Sequence, residues 1–274
     1  MLTGTKLISD IDQYKPSPGK VALWWAGQQG FILKWPRTVV YLDVFFADDE
    51  RRLIRPLLDP GEVHNADVIL GTHDHRDHID RDAWVVLAEA SPQAVFVVPE
   101  LLRLSLAKDL QIPAERFVGL DDGRSVQVGD LTITGVSSAH EFLDRDEKTG
   151  LHPYLGFVIE SNGFCMYHSG DTCLYEGLLT KLRRWSFDVV MLPINGRDAK
   201  RLAAGCIGNM TYQEAVDLAG ALQVGLAIPA HYDMFKGNSE DPNLFLEYMK
   251  VKYPHLKAAI CKHGKRMVLG ATAK

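Results

Sequence analysis

Cysteine is scarce in this chain: four among 274 residues, at Cys165, Cys173, Cys206 and Cys261, with no CxxC pair. That scatter excludes a disulfide-framed fold and a thiolate zinc ribbon, and it points to reduced thiols in a cytoplasmic protein. Long apolar runs are also missing, and the opening Met1-Leu2-Thr3-Gly4-Thr5-Lys6 has no apolar signal core. Neither a membrane span nor a secretory leader is expected. No linker rich in Pro, Gly or Ser, no low-complexity tract and no internal repeat interrupts the chain. Residues 1–274 are therefore expected to form a single domain. A basic surplus is absent as well: 30 Lys and Arg face 35 Asp and Glu, a formal net charge of -5 with the two signs interspersed. A dedicated nucleic-acid binder, which shows a basic face, does not fit that balance.

What the chain has is hydrophobic content, 46% of residues, enough for a large core. Short β-branched and aromatic runs open it: Val21 to Trp25, Gly30 to Leu33 and Thr38 to Leu42 read as strands. Asp67 to Gly71 and Ala94 to Val98 are further strands, each followed by helical spacing, Ile79 to Ala90 and Glu100 to Asp109. A second strand-rich block spans Val126 to Val128, Leu131 to Val136, Leu155 to Glu160 and Phe164 to His168. Then come a predicted helix near Leu174 to Arg184, a strand Val189 to Leu192 and a helix opened by the capping box Thr211-Tyr212-Gln213-Glu214. Leu226 to Pro229 reads as a strand, and Asp241-Pro242 starts a helix running to Tyr253. Two strand-rich halves, each followed by helices, predict two sheets packed face to face with helices outside.

One segment has a composition that neither a core nor a solvated surface requires. Thr72-His73-Asp74-His75-Arg76-Asp77-His78 sets three imidazoles and two carboxylates directly after an apolar strand. Imidazole and carboxylate together hold divalent transition ions. His73 and His75 share a face of extended chain and can chelate one ion; after a turn, Asp77 and His78 are available to a second. Three more candidates end strand patterns: His140, Asp171 in Ser169-Gly170-Asp171, and His231 after Ile228-Pro229-Ala230. Each of these alone reads more readily as a hydrogen-bonded loop residue or a helix cap than as a ligand.

Taken in order, His-x-His-x-Asp-His, then His, then Gly-Asp, then His, the pattern resembles the metallo-β-lactamase superfamily, from about Val21 to His231. The resemblance implies an α/β fold, the αββα sandwich, with two mixed β-sheets flanked by helices and the site along their shared edge. It implies that His73, His75 and His140 hold one ion, that Asp77, His78 and His231 hold another, and that Asp171 bridges them. Two divalent metal ions, Zn or Mn with Fe as a further option, would be the cofactors, and a hydroxide between them the nucleophile on an ester or lactone. Asp77, Asp171 and His231 are then the candidate catalytic groups. Trp25-Ala26-Gly27-Gln28-Gln29-Gly30-Phe31, Thr72 to Asp80 and Pro229 to Phe235 further resemble the L-ascorbate-6-phosphate lactonase-like branch. That branch implies a small anionic substrate, a sugar-derived phosphorylated lactone.

Asp43 is either a carboxylate supporting a ligand or a turn residue, and Asp80 is read as a helix-start charge. Asn195, Arg197 and Tyr232 are the candidate substrate-binding residues, with Arg201 and Lys236 behind them. The alternative for Arg197 is an ion pair with Asp198. His152, His168 and His263 lack a motif and read as structural. Trp24, Trp25, Phe45 and Phe46 read as core, while a homo-oligomer stays compatible with the sequence. The competing functions are a phosphodiesterase or nuclease on the same site, a diiron redox protein, and a metal-binding module without turnover.

Overall fold

In a computed structural model, residues 1–271 form two seven-stranded mixed sheets, with helices on their outer sides. The first sheet runs Arg266–Gly270, Lys20–Gly27, Gly30–Lys34, Val39–Leu42, Val68–Leu70, Val95–Pro99, Phe117–Leu120. Its last four strands are mutually parallel, and the hairpin side is antiparallel. The second runs Lys257–Ala258, Leu226–Ala230, Val189–Pro193, Phe164–His168, Leu155–Ser161, Leu131–Ser137, Ser125–Val128. The expected αββα arrangement is present.

Alternation along each strand explains the layering. Val21, Leu23 and Trp25 point into the core between the sheets, together with Phe157, Ile159 and Met191 of the second sheet. Their neighbours Ala22 and Trp24 point the other way, onto Leu7 and Ile11 of helix Gly4–Gln13 and Leu87 of helix Arg81–Ala90. Successive side chains of a strand face opposite sides, so a strand covered on both faces is apolar throughout. Trp24 stays compatible with burial because its Nε1 donates to Asp10 Oδ2 at 2.9 Å. Trp25, Phe45 and Phe46 are buried too.

Most element readings agree to within a few residues, and the exceptions have local causes. The predicted helix from Leu174 to Arg184 shrinks to Leu178–Leu182, because Gly177 sits at φ +96 and ends the helix on its N-terminal side. Helix Gly4–Gln13, strand Phe117–Leu120 and the edge strand Arg266–Gly270 were not anticipated. The Thr211 capping box is formed in both directions. Among the described residues, no helix is long and apolar enough to cross a membrane.

The parallel strands of both sheets carry their C-terminal ends to one edge. Leu70 leads to His73, His168 to Asp171 and Ala230 to His231. Open sheets present their functional groups at such strand ends.

Candidate metal centre

Seven side chains meet there. His73, His75 and His140 form one group of converging donor atoms; His73, His78 and Asp171 a second; Asp77, His78 and His231 a third. His73 Nε2 is 2.9 Å from His75 Nδ1, and His140 Nε2 is 3.3 Å from the same atom. Asp171 Oδ2 lies 3.2 Å from His231 Nε2, 3.5 Å from His78 Nε2 and 3.9 Å from His140 Nε2. Every member of the expected ligand set is thus drawn into one cluster, with Asp171 in its middle.

The donor set fits a divalent cation. Two ring nitrogens about 3 Å apart repel through their lone pairs unless a proton or a cation lies between them. Ligands held about 2.0–2.1 Å from a tetrahedral zinc are about 3.3 Å from one another, the scale of the separations here. His78 Nε2 and Asp171 Oδ1, which lie within the cluster, are also buried without a hydrogen-bond partner. Buried polar atoms are rarely left that way.

Supporting groups orient two of the imidazoles. Asp43 Oδ2 accepts from His78 Nδ1 at 2.8 Å and from the Thr72 hydroxyl at 2.6 Å, while Oδ1 accepts from the Thr72 amide at 2.9 Å. Having given its proton to Asp43, the Thr72 hydroxyl can accept from His73 Nδ1, 3.0 Å away. Both imidazoles are thereby held with Nε2 toward the cluster, the usual arrangement behind metal-binding histidines. Of the two readings of Asp43, the supporting one matches its contacts. Asp80 caps helix Arg81–Ala90, and its Oδ2 also accepts from the amides of Phe46 and Ala47. Asp74 instead pairs with Arg81 at 2.6 Å.

Electrostatics divides the cluster. Burial lowers His73 well below the ordinary imidazole value, and neighbouring His78 adds to the effect. His140 is lowered to about 4, chiefly by burial. Burial opposes charge on His78 too, yet Asp171, Asp43 and Asp77 outweigh it and raise His78 well above its usual value. Burial likewise works against the Asp171 carboxylate, and His231 and His78 overcome it, so Asp171 is held well below the usual range.

Backbone strain gathers around the same edge. Gln28, Asp43 and His231 hold φ of +50, +48 and +58, and Gly170 holds +58 before Asp171. Non-glycine residues in this region are uncommon and cluster at functional sites. At Gly170 a side chain would meet Leu155 O at 2.6 Å, so glycine is required for space as well as conformation. His168, read as structural, supports that turn: its Nδ1 accepts from Gly170 N and its Nε2 meets Gln29 O at 2.9 Å.

The cluster floors a cavity of about 350 Å³. Its walls include Phe45, Arg51, Arg76, Cys206, Phe235 and Asn238. Asp49 binds Arg51 through both oxygens, at 2.8 and 2.5 Å, and reaches Arg76 at 3.2 Å. Two guanidiniums thus share one carboxylate at the rim, and Asp77 and Glu50 also act on Arg51.

The three expected substrate residues lie elsewhere. Tyr232 is 1% exposed and stacks on Trp25 at 4.6 Å, because the left-handed turn at His231 sends it into the core. Asn195 is fully buried and reaches the wall only through Asn238, to which its Nδ2 donates at 2.8 Å. Arg197 is held by Glu214 at 2.6 and 2.7 Å, and Asp198 pairs with Arg201. Neither Arg197 nor Arg201 reaches the cavity over the metal centre; Arg197 borders a separate depression with Leu202 and Gly208. Arg51, Arg76 and Gln28 were not singled out, although Arg76 stands inside the histidine motif.

Residues 38–232 match the family described as the beta-lactamase superfamily domain. The chain belongs to that superfamily. A relative from Archaeoglobus fulgidus, named a metal-dependent hydrolase, is 28% identical over 246 residues, covering 88% of this chain and 96% of its own. A Shigella flexneri protein named probable L-ascorbate-6-phosphate lactonase UlaG is 26% identical over 293 residues, covering 93% of this chain and 81% of its own. In fold, this superfamily member is similar to Igni18, a metallo hydrolase from Ignicoccus hospitalis. That match has a TM-score of 0.70 at 19% identity and covers 91% of this chain and 98% of the other.

Proposed function

We propose that the protein is a metal-dependent hydrolase that opens an ester or lactone bond in a small anionic substrate. One observation carries this reading: seven side chains able to ligate a metal converge, and five of them line a cavity walled by Arg51 and Arg76. His73, His75 and His140 would hold one divalent ion, Asp77, His78 and His231 a second, and Asp171 would touch both. Zinc, manganese and iron all suit this thiol-free set. Bound ions supply Lewis acidity toward a carbonyl or phosphoryl oxygen and acidify a water molecule.

The chain's own residues supply the rest. Asp43 and Thr72 fix the tautomers of His78 and His73, so the ligating lone pairs are formed before any substrate arrives. Asp77, the more exposed carboxylate of the cluster, faces the cavity and is placed to take up a proton shed at the reacting centre. The cavity volume suits a small molecule rather than a polymer. Phe45 and Phe235, with ring centroids 6.1 Å apart, offer an apolar wall for a ring, and the guanidiniums of Arg51 and Arg76 on the cavity wall suit an anionic group. The names of the two curated relatives support hydrolysis, and one supports a phosphorylated sugar lactone such as L-ascorbate 6-phosphate.

The test is elemental analysis of protein loaded with zinc, manganese or ferrous iron, followed by a lactone panel beside bis-p-nitrophenyl phosphate. Metal-dependent lactone turnover is expected. Protein that takes up no transition metal, or that cleaves the phosphodiester and no lactone, overturns the proposal.

A further inference from the structure

The loop Gln28-Gln29 joins strands Lys20–Gly27 and Gly30–Lys34 and reaches the metal centre. Gln28 is 2% exposed and sits at φ +50, where glycine or asparagine is the ordinary choice in a two-residue hairpin loop. Its backbone carbonyl accepts from the amide of His231 at 2.9 Å and from Trp25 Nε1 at 3.0 Å. Gln28 is therefore tied to a proposed ligand through the main chain. Its carboxamide then ends between two ligating atoms: Nε2 contacts Asp77 Oδ2 and lies 3.0 Å from His231 Nε2. The other end, Oε1, is buried with no partner.

A purely structural role accounts for the bonds of Nε2 and of the backbone carbonyl and leaves the buried Oε1 unexplained. An amide N–H at that place uses the single lone pair of His231 Nε2, the one a cation needs. Turning the carboxamide by 180° exchanges two ends of nearly the same shape. Oε1 then stands with Asp77 Oδ2 and His231 Nε2, three donor atoms that a cation among them would hold together.

The geometry points to Gln28 as a further metal ligand, its Oε1 joining the Asp77, His78 and His231 half of the centre. The amide end competes with the cation for the same place. This inference rests on the metal-centre reading above. A neutral amide oxygen hardens that half of the donor set, which favours manganese over zinc there.

Titration calorimetry and elemental analysis with Mn²⁺ and Zn²⁺ on Gln28→Leu, Gln28→Glu and Asp77→Ala test it, with circular dichroism to check folding. Gln28→Leu is expected to weaken manganese binding at one site by about 10–100-fold, and zinc binding less. Gln28→Glu, which keeps an oxygen donor and cannot donate an N–H, is expected to bind manganese at least as tightly as the parent. Unchanged affinities in Gln28→Leu, with one ion lost in Asp77→Ala, overturn the ligand role and leave the centre standing. Manganese binding lost in a folded Gln28→Glu overturns it as well, since an N–H donor was then what mattered. Full metal content in Asp77→Ala overturns the centre itself.

Discussion

Replacing Asp43 with asparagine removes one charge and keeps the shape of the side chain. The carboxylate is 1% exposed and accepts three hydrogen bonds, two from Thr72 and one from His78. An amide has one oxygen. With that oxygen toward the Thr72 hydroxyl and His78, the NH₂ group faces the Thr72 amide, donor against donor; the flipped amide loses the other two bonds instead. At least one buried donor is left unsatisfied, a loss of about 1–3 kcal/mol. Asparagine tolerates φ near +50, so the backbone adds little to this. Alanine strands all three donors, about 3–9 kcal/mol at the same rate, a large share of a typical total of about 5–15 kcal/mol. Urea unfolding in the presence of chelator reads these losses directly. Metal titration of the same proteins should show about 10–100-fold weaker binding, because His78 is no longer held in its ligating orientation. Asp43→Asn within about 0.5 kcal/mol of the parent, with unchanged metal affinity, would refute the supporting role.

Asp171→Asn should lose at least one ion by elemental analysis and nearly all hydrolysis, since Asp171 Oδ2 lies within 3.9 Å of three of the histidines; full turnover would contradict its bridging place. Arg51→Ala and Arg76→Ala are expected to raise KM for anionic substrates several-fold while sparing neutral esters. Arg197→Ala, whose partner is Glu214, should leave both unchanged and lower stability by about 1 kcal/mol or less. Because Asp171, Asp43 and Asp77 raise the pKa of His78, metal binding must expel a proton from it at any pH below that raised value. Metal affinity should therefore fall by about tenfold per pH unit lost below the folded-state pKa of His78 and level off above it. Calorimetry in buffers of different ionisation enthalpy should detect the released proton; a binding heat independent of buffer would count against it.

The metal-binding set was legible because each ligand ends a strand and chemistry dictates the residue types. His73 and His75 needed only the two-residue period of extended chain, while His140, Asp171 and His231 needed the order of the whole pattern. The substrate wall was not legible. Arg197 read as a substrate group or a partner of Asp198 because its actual partner, Glu214, lies seventeen positions away on a helix whose packing no local pattern reveals. Tyr232 looked like a rim residue because the positive φ of His231, which turns the next side chain inward, leaves no mark in composition. Gln28 stands out in the sequence only as part of the Trp25 to Phe31 motif; its burial comes from a second sheet contributed by distant segments. Strand Arg266–Gly270 escaped notice for the opposite reason, since an exposed edge strand lacks the continuous apolar run of a covered one.

That edge strand has a consequence for synthesis. Lys20–Gly27 pairs on one side with Gly30–Lys34, available at once, and on the other with Arg266–Gly270. From Gly27 to Arg266 the ribosome must add 239 residues (266 minus 27), which at about 5–20 residues per second takes roughly 12–48 s. Through that interval an apolar strand bearing Val21, Leu23 and Trp25 presents an open hydrogen-bonding edge to every other nascent chain nearby. Yield in cells should thus depend on translation speed and chaperone supply more steeply than the finished protein's stability suggests.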